Sequence, residues 1–146
     1  MVFHPDSYTY APLTPFTDSS DGKMYVYAVA HAALTAKTPY FVIVNEYGHV
    51  TEALPTSGKY GYVGVPNDTV ASGALAKLQI GGYCADMITT SLSISVGHGL
   101  TVNTAAVADI GADYSGVAGE FAACCTESTT STTQDVMLCG HMIITI

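Results

Sequence analysis

The chain has no arginine, and its four lysines are spread along the sequence rather than clustered. Asp and Glu together number 12, so the formal net charge is −8. Cationic side chains that neutralise phosphates supply most of a protein's affinity for nucleic acids, and they also attract proteins to anionic membrane surfaces. The composition therefore argues against DNA, RNA and anionic lipid as partners of this protein.

Charged residues of both signs are scarce, at 11% of the 146 residues, whereas hydrophobic residues make up 49%. About a quarter of the residues of an ordinary soluble domain are charged. Tryptophan is absent, but ten tyrosines and eighteen threonines provide side chains that suit a pleated sheet. A surface with so few charges leaves apolar area exposed unless a partner covers it. The composition predicts a β-rich domain that associates with another protein.

Long hydrophobic runs are also missing. No stretch approaches the ~20 uninterrupted apolar residues of a membrane-spanning helix, and Met1 to Asp6 lack the basic and apolar regions of a secretory signal. We therefore expect no membrane partner and synthesis in a cytosol. The four cysteines are expected to be thiols when the chain is made, and most simply to be small core residues. They are Cys84, Cys124, Cys125 and Cys139.

Residues 1–23 differ in composition from the rest of the chain. They contain three of the six prolines, which disfavour helices and central strands. They also contain four aromatic residues, which is unusual for a solvated tail: Phe3, Tyr8, Tyr10 and Phe16. We interpret residues 1–23 as an extended arm whose aromatic side chains contact either the chain's own domain or a neighbouring protein. Residues 24–146 then form one β domain.

Short runs of β-forming residues follow the arm and are separated by turn signals about every 8–12 residues. Strands are predicted near residues 24–31, 40–45, 60–66, 76–87, 119–125 and 135–146. Gly81 and Gly82 predict a β-bulge or the close approach of another backbone. Residues 30–37 and 103–111 are also compatible with a short helix. The pattern predicts an all-β fold, a small single-domain barrel or sandwich of short antiparallel strands.

Two segments, residues 62–87 and 121–146, share one layout of strand, polar turn and strand. Aligned without a gap, they place Ser72 on Ser131 and Gly81 on Gly140. Few residues are identical, so the similarity is one of design rather than of duplication. Two such hairpins in a chain without a catalytic motif favour a structural protein over an enzyme.

The sequence contains no recognisable catalytic or metal-binding motif. Cys139 and His141 are two residues apart and would share one strand face, but a strand so near the end of the chain is more often scaffold than site. Cysteines with the two-residue spacing of a structural zinc site are missing. The adjacent Cys124 and Cys125 would face opposite sides of a strand. We expect no catalytic residue, no bound metal and no cofactor.

Several segments, in their order along the chain, resemble the head decoration (capsid cement) proteins of tailed phages. The early part of the resemblance is a short apolar strand, a second strand and a polar turn leading to a strand that ends in Gly-Gly. The later part is a glycine-rich stretch, a Ser/Thr-rich turn and a final alternating strand. These segments are residues 39–45, 61–65, 70–82, 96–102 and 119–146, and the resemblance covers about residues 36–146.

The resemblance implies a structural virion protein on the outer surface of an icosahedral phage capsid. Such a protein binds the major capsid protein, often as a trimer, and stabilises the contacts between capsid subunits. Phe3, Tyr8, Tyr10 and Phe16 are then the expected partner contacts. The alternative is a lectin-like or adhesin-type β-sandwich that holds sugar in tyrosine-lined loops. A small hydrolase or thiol enzyme is disfavoured, because its motifs are missing.

Overall fold

The computed structural model describes residues 14–45, 48–53, 59–89, 95–103, 106–109, 121–127 and 132–144. Within these ranges the chain forms eleven strands and no helix, and thus no helix long and apolar enough to cross a membrane. The strands are β1 (Phe16–Thr17), β2 (Met24–Val29), β3 (Tyr40–Asn45), β4 (Gly48–Glu52), β5 (Tyr60–Pro66), β6 (Leu75–Ile88), β7 (Gly99–Asn103), β8 (Ala106–Asp109), β9 (Phe121–Cys125), β10 (Thr133–Cys139) and β11 (Ile143–Ile144).

The predicted all-β fold is confirmed, and several strands have the expected bounds. β3 and β5 match the predictions residue for residue, and β6 is one residue longer at each end. The two possible helices are not helical where the structure describes them. Residues 30–37 are irregular and joined to the β5–β6 loop by a bridge between Leu34 and Val70, and residues 106–109 are β8.

Five strands close into a barrel in the order β2, β4, β3, β5, β6 and back to β2. All the pairings are antiparallel except β2 with β4, where Val29 lies opposite Val50 in a parallel bridge. The prediction of antiparallel strands is therefore correct for every pair of barrel strands except β2 with β4. A closed barrel leaves none of its five strands with an unpaired side, which removes the edges along which sheets aggregate.

Alternate residues of the barrel strands fill the barrel interior. The buried side chains there include Val26, Ala28, Val42, Ala76, Leu78 and Ile80. The interior is narrow, because a Cβ added to Gly64 of β5 would lie 2.9 Å from the Cβ of Leu78. A five-stranded barrel has room only for side chains of this kind, so its interior is a packed core.

The second half of β6 leaves the barrel and becomes the first strand of an outer sheet ordered β6, β10, β9, β7, β8. The inner face of this sheet covers the outer face of β3 and β5. Phe41 and Val63 of the barrel are buried there against Met87 and Val136 of the outer sheet. Full burial of a large apolar side chain stabilises a fold by about 1.5–3 kcal/mol. This second core therefore holds the outer sheet to the barrel.

The transition from barrel to outer sheet occurs at the two glycines of β6. Met24 pairs with Gly81, but Tyr25 pairs with Gln79, so the β6 strand bulges between the two pairs. A Cβ added to Gly81 would lie 3.0 Å from the Cβ of Met24 and 3.1 Å from the Cα of Gly140. Both the predicted bulge and the predicted close approach are therefore present.

The two hairpins of similar design lie side by side. β5 and β6 form the first, β9 and β10 form the second, and β6 pairs with β10. The predicted strand over residues 135–146 is instead two strands, β10 and β11. Gly140 separates them with a φ of 74°, and its N–H donates to the carbonyl of Ile80, which directs the chain back toward β5.

Candidate interaction surfaces

Phe16, the last aromatic residue of the predicted arm, lies on the chain's own barrel. β1 pairs with β2, and the Phe16 ring stacks on the rings of Tyr25 and Tyr27 at centroid distances of 6.0 Å and 5.3 Å. The other three aromatic residues of the arm, Phe3, Tyr8 and Tyr10, lie outside the described residues. Contact of the arm with a partner stays a prediction.

A polar network joins the turn after β1 to the barrel wall. The Lys77 ammonium donates to Asp18 at 2.5 Å and lies 4.2 Å from the centroid of the Tyr25 ring. This hydrogen bond, together with those from Ser20, holds the pKa of Asp18 far below its usual value. The Tyr25 hydroxyl donates to Asp21, and burial together with this carboxylate raises the pKa of Tyr25.

A cavity of about 450 Å³ opens beside this network, between the outer wall of the barrel and the part of β6 that follows the bulge. Its lining includes three of the chain's four lysines, Lys23, Lys37 and Lys77. Gln79 is buried in the lining, and its amide donates to the carbonyls of Gly81 at 3.2 Å and Tyr83 at 2.8 Å. These two bonds span the bend in β6 and shape the cavity.

Lys23 and Lys37 have surroundings that differ from those of Lys77. The Lys37 ammonium donates to the side-chain oxygen of Asn67 at 2.8 Å, and the Lys23 ammonium lies 6.0 Å from the centroid of the Tyr83 ring. Among the described residues, carboxylates lie within 4.0 Å of a lysine ammonium only at Lys77 and Lys59. The cavity therefore contains two ammonium groups that no described carboxylate neutralises by direct contact.

The outer face of the outer sheet carries an exposed apolar row, here called the outer row: Tyr83 of β6, Met137 of β10 and Cys124 of β9. Met137 pairs with both of the others. Tyr83 is 42% exposed and Met137 44% exposed, and Cys124 is also exposed. Because large exposed apolar patches mark protein contact sites, the outer row is a candidate contact surface.

The four cysteines are free thiols on alternating faces of the outer sheet. Cys84 and Cys125 are buried, whereas Cys124 and Cys139 are exposed. The prediction that the adjacent cysteines face opposite sides of their strand is confirmed. Partial burial raises the pKa of Cys139, and burial also raises the pKa of Cys84.

Cys139 and His141 do not share a strand face. β10 ends at Cys139, and the His141 ring nitrogen Nδ1 lies 3.4 Å from the Cys139 carbonyl oxygen rather than from its thiol. Across the described part of the chain, no group of three or more His, Cys, Asp or Glu side chains has the arrangement of a metal site.

Neither the cavity nor the outer row was predicted from the sequence. The cavity lysines are 14 and 40 residues apart, so no local pattern links them. The outer row did have a signal in the sequence. Residues 136–139, Val-Met-Leu-Cys, are all apolar, which indicates a strand with apolar side chains on both faces.

No family model and no curated protein matches the chain. Among solved structures, the chain is similar to the N base of the head fiber protein gp8.5 of bacteriophage phi29. The TM-score is 0.54 at 13% identity, and the match covers 78% of this chain and 92% of that one. The fold is similar to that of a phage head fiber base. At this identity the likeness is one of fold and assigns no site residue.

Proposed function

We propose that this protein is a structural component of a phage particle and acts on the exterior of the head. The observation that carries the proposal is the fold it shares with the head fiber base of bacteriophage phi29. The layout of residues 36–146, which resembles that of head decoration proteins, supports the same class of function. The similarity of fold and the similarity of sequence layout thus both support a protein of the phage head.

In its specific form the proposal is a decoration or cement protein. It binds the major capsid protein from outside and stabilises the contacts between capsid subunits. The low charge of the chain and the exposed outer row support a role in which a protein partner covers apolar surface. The function is mechanical, so the residues that matter are those that contact the partner.

The N-terminal arm supplies the proposed contacts, through Phe3, Tyr8 and Tyr10. Phe16 packs on the barrel and fixes the place from which the preceding residues reach a capsid subunit or a sister copy. We propose a homotrimer, because three arms on one body bind at high effective concentration once the first is bound. Weak individual contacts would then give firm attachment.

Co-sedimentation of the purified chain with heads of its source phage that lack it tests this proposal. We expect the full chain to pellet with expanded heads and to raise the temperature at which they break open. Deletion of residues 2–13 and Met137→Glu should each weaken binding at least about tenfold. Tyr60→Ser is the matched control, because Tyr60 is another exposed aromatic residue but lies on β5, which carries no residue of the outer row.

Two results would contradict the proposal. The first is a full-length chain that neither pellets with expanded heads nor changes their stability. The second is a chain that binds immobilised glycans but not heads, which would establish the lectin-like alternative. Analytical ultracentrifugation tests the trimer separately. A monomer at all concentrations would contradict the trimer, whereas capsid binding is tested only by the co-sedimentation assay.

A further inference from the structure

The cavity brings together most of the chain's lysines, and two aspartates, Asp21 and Asp68, also line it. Three of the four lysines line a single cavity of about 450 Å³, although the net charge of the chain is −8. Lys23 reaches the cavity from the turn between β1 and β2, and Lys37 reaches it from the irregular segment before β3. The fold therefore brings together cationic groups that are far apart in the sequence.

Lys23 and Lys37 act on the same region of the cavity. Cys84 lines the cavity, and both ammonium groups lower the pKa of its thiol, although burial is the larger influence and raises it. Lys23, Lys37 and Cys84 thus line one cavity. An anionic group in the cavity would be attracted by both ammonium groups.

Two backbone hydrogen bonds hold the main chain of Lys37. Its N–H donates to the Pro66 carbonyl at 2.8 Å, its carbonyl accepts from the N–H of Ile88 at 3.0 Å, and its φ is 62°. A residue other than glycine rarely adopts a positive φ, and such conformations persist where the surrounding structure enforces them and cluster at functional sites. The backbone thus directs the Lys37 side chain toward Asn67 and the cavity.

The remaining cavity groups are already bonded within the chain. Lys77 pairs with Asp18 and covers one face of the Tyr25 ring, so that face cannot stack on a sugar. Asp21 accepts from the Tyr25 hydroxyl and from the Lys23 N–H. Asp68 is an exposed loop residue at the rim. The donors left for a ligand are the ammonium groups of Lys23 and Lys37.

We propose that this cavity binds carboxylate side chains of an acidic segment of a partner protein, with Lys23 and Lys37 as the charged donors. The cavity volume is within the range of pockets that enclose small ligands or side chains. Hydrogen bonds between an ammonium and a carboxylate are stronger than neutral ones, and a cavity screens them less than open water does. This proposal does not depend on the proposed role at the phage head, because binding of an isolated peptide tests it directly.

Isothermal titration calorimetry measures the binding of a blocked hexaglutamate peptide to the full-length protein at low salt. We expect the double variant Lys23→Gln/Lys37→Gln to weaken binding at least about tenfold. Lys59→Gln should change the affinity less than about twofold. Lys59 is the fourth lysine, lies outside the cavity and pairs with Glu52, so its substitution lowers the net charge by one, half the change in the double variant, away from the cavity. A blocked hexaglutamine peptide should not bind.

Amide chemical shifts of the unmodified protein provide a second readout that does not depend on a variant. The hexaglutamate peptide should shift the signals of Asn67, Gln79 and Ala85, which line the cavity. The proposal is overturned if the peptide does not bind, if Lys59→Gln weakens binding as much as the double variant does, or if the shifts lie elsewhere. Tighter binding of glucuronate than of the peptide would also overturn it, in favour of an acidic sugar.

Discussion

The carboxylate of Asp135 in β10 accepts two hydrogen bonds from β6, one from the Tyr83 hydroxyl at 2.5 Å and one from the Asp86 N–H at 2.9 Å. The register between the two strands shifts at this point, and Asp86 has a φ of 54°. The carboxylate therefore satisfies a backbone donor that the irregular ladder leaves without a strand partner. It also ties the outer row to the junction of the two hairpins.

Acid should weaken this link. The hydrogen bond from Tyr83, and then that from the Asp86 N–H, lowers the pKa of Asp135. A carboxylate whose folded-state pKa lies below its unfolded value of about 3.9 stabilises the fold fully above that value, and the contribution is lost as the pH falls through the folded pKa. Asp135→Asn should therefore reduce the loss of stability that the protein shows as the pH falls below about 4.

Urea unfolding at a series of pH values measures this change. Asp68→Asn is the control, because it removes one carboxylate from an exposed position of the β5–β6 loop. Equal pH dependence in Asp135→Asn and the unmodified protein would refute the assignment. The same contact raises the pKa of Tyr83 to about 12, so Tyr83 should ionise at lower pH in Asp135→Asn.

Gly61→Ala should destabilise the barrel by about 2 kcal/mol or more. An added Cβ would lie 2.3 Å from the backbone oxygen of Val42 on the neighbouring strand, and a paired backbone cannot move away as a side chain can. Gly73→Ala is the comparison. Gly73 has a φ of 78° but open space around it, so only backbone strain of about 1 kcal/mol is expected. Similar losses in the two variants on thermal or urea unfolding would show that the contact is not tight.

Two of the four thiols should react with a maleimide reagent in the native protein, and all four after unfolding. Cys124 and Cys139 are exposed, whereas Cys84 and Cys125 are buried. The raised pKa of Cys139 lowers its thiolate fraction, so Cys139 should react faster as the pH is raised above neutral. Peptide mapping by mass spectrometry identifies the modified residues. Rapid native labelling of Cys125 would mean that the strand faces are assigned the wrong way round.

Deletion of residues 2–20 should lower the stability of the folded domain more than deletion of residues 2–13 does. The longer deletion removes β1, the stacking of Phe16 on Tyr27, and the Asp18 partner of Lys77. Phe16→Ala in the full chain isolates the stacking and should cost about 1–2 kcal/mol, because the ring is only partly buried. Equal thermal stability of the two deletion variants would show that β1 contributes nothing.

Local patterns in the sequence determined the class of fold and most strand positions. The apolar run at residues 40–45 and the alternation at residues 76–80 have the period of strands, and this period depends only on neighbours along the chain. The glycine pair at residues 81–82 located the bulge for the same reason. The opposite orientation of Cys124 and Cys125 follows from the same alternation.

Tertiary structure alone decided the closure of the barrel, the outer sheet and the candidate sites. The pairing of β2 with β6 joins residues about fifty positions apart, and its energy depends on which side chains meet rather than on their spacing. The turn at Gly140 divides a segment whose composition reads as one strand, because a contact with Ile80 directs the chain toward β5. The lysines of the cavity meet for the same reason: their positions are set by long-range strand pairing, which has no signature at any one place in the sequence.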